Sequence, residues 1–451
     1  MSQSEDIMGC LINVDSKRFS SFIMIFNNAF IVSYVEFILN YKKQYDDDDD
    51  DDDDGGVNVV DVQKNNFSIK DISIVSIILI ILTLCLAALF IPGFENLSAA
   101  SPILKRLKPT PFILILIPLW ISYKVLDDLE LKERLITILF LSLFTGFCVH
   151  LHFTNVELGN YFPDKVNIVW QMEVHEKILN KDPSIIPHSY RFLAETMISL
   201  LILWAGNFFK ALILYRIVFQ FLLLLSIFYW ARLYVNYRTS IFTVLLYVLI
   251  YPITIRYYAG QPMDPISHLS FILSFIFMHQ RKDFYFLLTV LIGILAKESI
   301  AIMPVFYFLF QSPKTKAHWM KSILFIGLSF AVILSVRWYI TQANLQYENI
   351  SGVTPDHILS NLKDGFRWYG QFFFTIILLA PFTILGWRQT PIILKRLIVF
   401  LILGLVSTNL VFSWLAEVRN FVPFLVPMSL VSAVYFLKEE YSPLENNNVN
   451  Q

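Results

Sequence analysis

Between residues 72 and 437 apolar stretches recur near 72–92, 111–126, 134–152, 208–231, 239–257, 264–280, 284–296, 299–311, 319–340, 368–387, 393–414 and 420–437. Most are about 17–25 residues long, the length an α-helix needs to cross a hydrocarbon core of about 30 Å. In hydrocarbon a backbone must satisfy its own N–H and C=O groups, so only helices and closed barrels span it. The short alternating strands of a barrel are not seen. The expected fold class is all-α and integral to the membrane, a polytopic bundle of about 11–12 transmembrane helices. The two stretches that meet at residues 296–299 are short and predict a broken or tilted pair.

Hydrophobic residues make up 56% of the 451 and charged residues 16%, far from the balance of a soluble domain. The net charge of −1 supplies no basic surface, so membrane lipids are expected as partners and nucleic acid is not. Cys10, Cys85 and Cys148 have no metal or redox spacing and read as inert thiols. The moderately apolar run 19–39 is interrupted by Asn27, Asn28 and Glu36, which does not fit a cleavable signal peptide.

Four segments follow. Residues 1–70 read as a poorly structured extension, because "YKKQYDDDDDDDDDGG" is a run of like charges that repels itself. Residues 71–133 carry the N-terminal transmembrane helices, 134–437 the main membrane domain, and 438–451 a cytoplasmic tail. The short loops "NYRTS", "QRKD", "SPKTKAHWMK", "WRQTPIILKR" and "LKEEY" fall on one side if the spans alternate, and their Lys and Arg make that side cytoplasmic. "KRLK" at 105–108 then lies on the wrong side, so the topology before residue 130 is not fixed by charge. Counting residues 190–206 as a span would invert every later loop; they are expected to form an interfacial helix in a large first non-cytoplasmic loop.

The polar groups collect on that non-cytoplasmic face. The first loop holds Glu157, Asp164, Glu173, Glu176 and Asp182, with His175, His188, Tyr190 and Arg191 beside them. Asp264 opens a helix in "PMDPISHLSFILSFIF", where the following Pro also fits a plain N-cap. Lys297 and Glu298 interrupt the apolar "LIGILAKESIAIMPVF", where charge is costly unless paired or functional. Glu417 and Arg419 open the last helix; an Arg at a helix N-terminus opposes the dipole and calls for an anionic partner.

In their order these features resemble the GT-C superfamily of polytopic glycosyltransferases, which includes the aminoarabinose transferases and protein O-mannosyltransferases. The likeness covers residues 134–437: Asp164 about two dozen residues ahead of Pro187, Tyr190 and Arg191, then Asp264, the "LxGxLAKES" break at 291–299, and "RNFVPFLVP" at 419–427. It departs from the family where Lys165, rather than a second acid, follows Asp164, which keeps Glu157 a rival for that role. The resemblance implies transfer of a sugar from a polyprenyl-phosphate donor to a lipid, glycan or protein acceptor, with inversion. On that pattern Asp164 is the base and Asp264 a second acid, while Arg191, Lys297 and Arg419 hold the leaving phosphate beside Tyr190, His188, Glu298 and Glu417. The resemblance fixes no cofactor, and a divalent cation is compatible with it. The implied location is the bacterial plasma (inner) membrane, or the endoplasmic reticulum membrane in a eukaryotic cell. Two other classes fit a polar-rimmed bundle, a transporter or flippase of lipid-linked sugars or small anions, and a polysaccharide polymerase.

Overall fold

The structure is a computed structural model and describes residues 110–157, 168–180, 190–255, 261–310, 315–341, 358–359, 361–363, 369–412, 415 and 417–441. The expectations for residues 1–70, for the stretch 72–92, and for Asp164, Asp182 and His188 fall outside that set. All described residues belong to the compact unit that begins at Ile103.

The elements in chain order are α1 (Thr110–Val125), α2 (Leu131–Glu157), α3 (Ile168–Leu179), α4 (Phe192–Ala205), α5 (Phe208–Arg232), α6 (Tyr237–Ile255) and α7 (Met263–His279). Next come α8 (Asp283–Ala296), a 3-10 turn (Glu298–Ile302), α9 (Met303–Phe310), α10 (Lys316–Thr341), α11 (Tyr369–Gly386) and α12 (Ile392–Phe412). A second 3-10 turn (Val418–Phe421) leads into α13 (Val422–Leu437). Among the described residues every regular element is helical. Among the described residues five helices are long and apolar enough to cross a membrane: α2, α5, α10, α12, and α13 with its 3-10 turn. The chain is an all-α membrane protein.

Local sequence explains the breaks. Pro304 and Pro423 each sit in the first turn of a helix, where the missing N–H costs least, and each follows a 3-10 turn. These two turns carry Lys297 at their start and Arg419 within them. Between α4 and α5 the chain reverses through Gly206, at φ 84° in the left-handed region that favours glycine, and Asn207, whose side chain accepts the Lys210 N–H at 2.9 Å.

The most enclosed span is α13, 83% of whose apolar window is buried within the protein. Small and hydroxylated residues let α11 approach it: Thr383 Oγ1 lies 3.2 Å from Ser432 Oγ, and Ser432 donates to the Leu379 carbonyl at 3.2 Å. At the other extreme is α10, with only 17% of its window buried and Ile323, Phe330, Leu334 and Trp338 turned outward.

Side chains tie the helices together at two ends. At one, Arg232 donates to Asp128 at 2.6 Å, Tyr234 meets His279 at 3.2 Å, Lys321 donates to Asp283 at 2.7 Å, and Thr239 donates to Glu439. Residues of four of the basic segments, 236–240, 280–283, 312–321 and 437–441, take part in these contacts. Because α7 runs from Asp264 to His279 and α8 from Asp283 towards Lys297, the other end holds the polar groups that follow.

Candidate functional site

Asp264, Lys297 and Arg419 come from three separate helix ends and meet in the protein interior, each less than one-tenth exposed. Lys297 Nζ lies 3.4 Å from Asp264 Oδ1 and donates to Asn420 Oδ1 at 2.5 Å. Arg419 Nε approaches Asp264 Oδ2 at 3.6 Å, an ion-pair contact longer than a hydrogen bond, and its terminal nitrogen donates to Glu417 Oε2 at 2.9 Å. Asn420 Nδ2 donates to both Glu417 Oε2, at 3.0 Å, and Asn409 Oδ1, at 2.7 Å, which anchors the turn to the end of α12. His268 Nε2 donates to the Arg419 carbonyl at 3.0 Å from one turn farther along α7.

The N-cap reading of Asp264 is corrected. The helix begins one residue earlier at Met263, and the carboxylate reaches back to accept the Gln261 N–H at 2.7 Å. Pro265 has no N–H to offer it, and both carboxylate oxygens face cations or that amide. Asp264 is therefore built as the anchor of Lys297 and Arg419.

Lys297 and Glu298 take different partners. Glu298 Oε1 pairs with Arg337, at the end of α10, at 3.0 Å, and the same guanidinium lies 5.6 Å over the Tyr190 ring. Arg191 precedes α4 with its Nε buried and without a hydrogen-bond partner, close enough to act electrostatically on Lys297 and Glu417. Burial alone would raise the Glu417 carboxyl, yet Arg419 and Lys297 outweigh it and hold the group below its ordinary range. Glu417 is thus an anion at neutral pH.

Arg216 completes the cluster and was not singled out by its sequence. It lies in the third turn of α5, is 2% exposed, and is felt by Asp264. Its signal was there: the one charge inside the apolar "ALILYRIVFQF" is costly enough to imply a role. The sequence assigns His268 no role and does not single out Asn409 or Asn420, because polar uncharged and histidine side chains on apolar helices carry no distinctive spacing. Among the described residues the cluster sets Arg191, Arg216, Lys297 and Arg419 against the carboxylates of Asp264 and Glu417, an excess of positive charge.

Of the expected site residues, the structure brings together Asp264, Lys297, Arg419 and Glu417, places Arg191 within their field, and sets Tyr190 and Glu298 on the adjoining Arg337. Glu157 ends α2, and Asp164 and His188 lie outside the described residues. Among the described residues no three His, Cys, Asp or Glu side chains gather as a metal ligand set. The segment expected to lie in the interface is helical, as α4, and its inner face, Ala194 and Ile198, packs into one core with Phe208, Leu212 and Tyr215 of α5, Met263 and Ala296. No protein-family model, curated protein or solved structure matches the chain.

Proposed function

We propose that this chain is a membrane glycosyltransferase that moves a sugar from a polyprenyl-phosphate donor to an acceptor hydroxyl on the non-cytoplasmic face. The observation that carries the reading is the meeting of Lys297 and Arg419 on Asp264, with Arg191 and Arg216 supplying further positive charge. As the bond from sugar to phosphate breaks, charge builds on the phosphate oxygens, and cations already fixed in a buried site stabilise it without reorganising. Arg191 is the cation best suited to meet the phosphate directly, since Arg419 is engaged by Glu417 and Lys297 by Asn420. Asp264 is committed to Lys297, Arg419 and the Gln261 amide; the base is Asp164, with Glu157 its rival. In-line attack opposite the phosphate inverts the anomeric centre. In this reading the full bundle has about 11–12 spans, and the donor enters sideways from the bilayer.

Purified protein in detergent is expected to bind polyprenyl phosphate saturably. Arg191→Ala should weaken that binding about tenfold or more, the worth of one charge-assisted contact. With the matching donor, Asp164→Asn should cut turnover about 10²–10⁴-fold while leaving donor binding intact. A chain that binds no member of a panel of polyprenyl phosphates and their sugar conjugates is not this enzyme.

One observation favours a second reading. Arg216 lies well inside a 25-residue span and the α8–α9 pair is interrupted, as in carriers of anionic substrates. Flux of a lipid-linked sugar or a small anion in proteoliposomes, without sugar transfer, would establish that class instead.

A further inference from the structure

A second constellation lies between α3 and α4 and takes no part in the proposed transfer. His175 Nδ1 is 2.6 Å from Glu195 Oε2, and His175 Nε2 is 3.3 Å from Ser199 Oγ. A carboxylate only accepts, so Nδ1 carries the ring proton and Nε2 is the acceptor facing the serine hydroxyl. Glu195 and Ser199 are one helical turn apart on α4 and hold the ring between them. The pair is buried, with His175 4% and Glu195 1% exposed, whereas Ser199 is half-buried and reachable. A nucleophile within reach of a base that a third group orients is the arrangement that activates a hydroxyl.

Two further features bear on it. Gln171, four residues before His175 and so on the same flank of α3, is 1% exposed, and neither its Oε1 nor its Nε2 has a hydrogen-bond partner. An uncommitted buried amide is costly, and its N–H is a donor of the kind that stabilises an oxyanion. Ser199 lies in mid-helix, where its own N–H is committed to the helix, so a side-chain donor is what such a site needs. One turn beyond Ser199, Leu203 is 77% exposed, with Leu200 at 57% beside it, an apolar approach for a hydrocarbon chain.

We infer that Ser199, His175 and Glu195 form a serine nucleophile site, with Gln171 as oxyanion donor, that acts on long-chain acyl esters presented by the membrane. Ser199 Oγ bonds to the ester carbonyl carbon while its proton passes to His175 Nε2. The carbon–oxygen bond to the alcohol then breaks, and the alcohol leaves with that proton. Water attacks the acyl-serine carbonyl, giving a proton to His175 Nε2; that proton passes to Ser199 Oγ as the bond from Oγ to the acyl carbon breaks and the fatty acid departs.

The test is covalent and needs no knowledge of the natural ester. A biotinylated fluorophosphonate is added to the detergent-purified full chain, where attack by Ser199 forms an oxygen–phosphorus bond and expels fluoride. Mass spectrometry is expected to find the adduct on Ser199, with no adduct in Ser199→Ala. Labelling should be slower by about 10⁴-fold in Glu195→Gln and by about 10²–10³-fold in Gln171→Ala. Hydrolysis of p-nitrophenyl palmitate should follow the same order and exceed that of the butyrate. Wild-type protein that stays unlabelled at Ser199, or that labels at an undiminished rate in folded His175→Gln and Glu195→Gln variants, would overturn the site and leave a hydrogen-bonded brace. Should His175→Gln fail to fold, the wild-type adduct and Glu195→Gln still decide.

Discussion

An Asp264→Ala variant is expected to lose about 3–5 kcal/mol of folding stability, the cost of leaving buried charge without its partner. The side chain is 4% exposed and faces Lys297 at 3.4 Å and Arg419 at 3.6 Å, which are themselves 8% and 3% exposed. Removing it strands two cations in a region that cannot rehydrate them. Glu417 compensates only in part, because its carboxylate already serves Arg419 and Asn420. Thermal unfolding of the detergent-solubilised full chain reads the effect. Adding Lys297→Met to Asp264→Ala should recover part of the loss, since one stranded charge goes with it; the double-mutant cycle gives the coupling. A midpoint for Asp264→Ala equal to that of the unaltered chain would mean that this carboxylate anchors neither cation.

The second large effect is steric. At Gly293 a β-carbon would stand 2.8 Å from Ser270 Cβ on α7 and 2.5 Å from Ile300 Cδ1 in the 3-10 turn. The end of Ile300 can rotate away, but Ser270 Cβ is fixed to its backbone, so the two helices must separate. Overpacking of this kind costs about 1–3 kcal/mol, and Gly293→Val should lie at the upper end. Because Lys297 follows one turn later and donates its N–H to the Gly293 carbonyl at 2.8 Å, the shift carries into the charged cluster. Gly293→Val should therefore lower both the melting midpoint and polyprenyl-phosphate binding, and Ser270→Gly should restore part of each. Gly327→Ala is the control: nothing lies within 4 Å of its added carbon, and its midpoint should not fall.

How much of this was legible in the sequence depended on which physical signal each residue carried. The apolar stretches gave the helices closely: 208–231 appears as Phe208–Arg232 and 393–414 as Ile392–Phe412. Lys297 and Arg419 stood out because a charge amid apolar residues is rare, and the structure brings both to Asp264. Asp264 was found for the same reason but with the wrong local geometry, since its register against Pro265 decides whether it caps forward or reaches back. What stayed hidden was pairing across the bundle. Nothing in "EVHEKIL" or "FLAETMIS" states that His175 and Glu195 meet, because sequence periodicity places residues on a face and leaves unsaid which face lies opposite. Arg337 was likewise invisible as the partner of Glu298, 39 residues away.

The Arg337 contact has a mechanical side. It sits near the end of α10, the helix with the least protein around it, and grips Glu298 and the Tyr190 ring at once. A span with so few protein contacts meets a thinner hydrocarbon layer by tilting, and its few packing contacts and anchors, Arg337 among them, set how far. Arg337 lies far along that lever, so a change of tilt pulls directly on the residue next to Lys297 and on the start of α4. The same chain reconstituted in short-chain and long-chain lipids would thus hold its charged cluster under different loads.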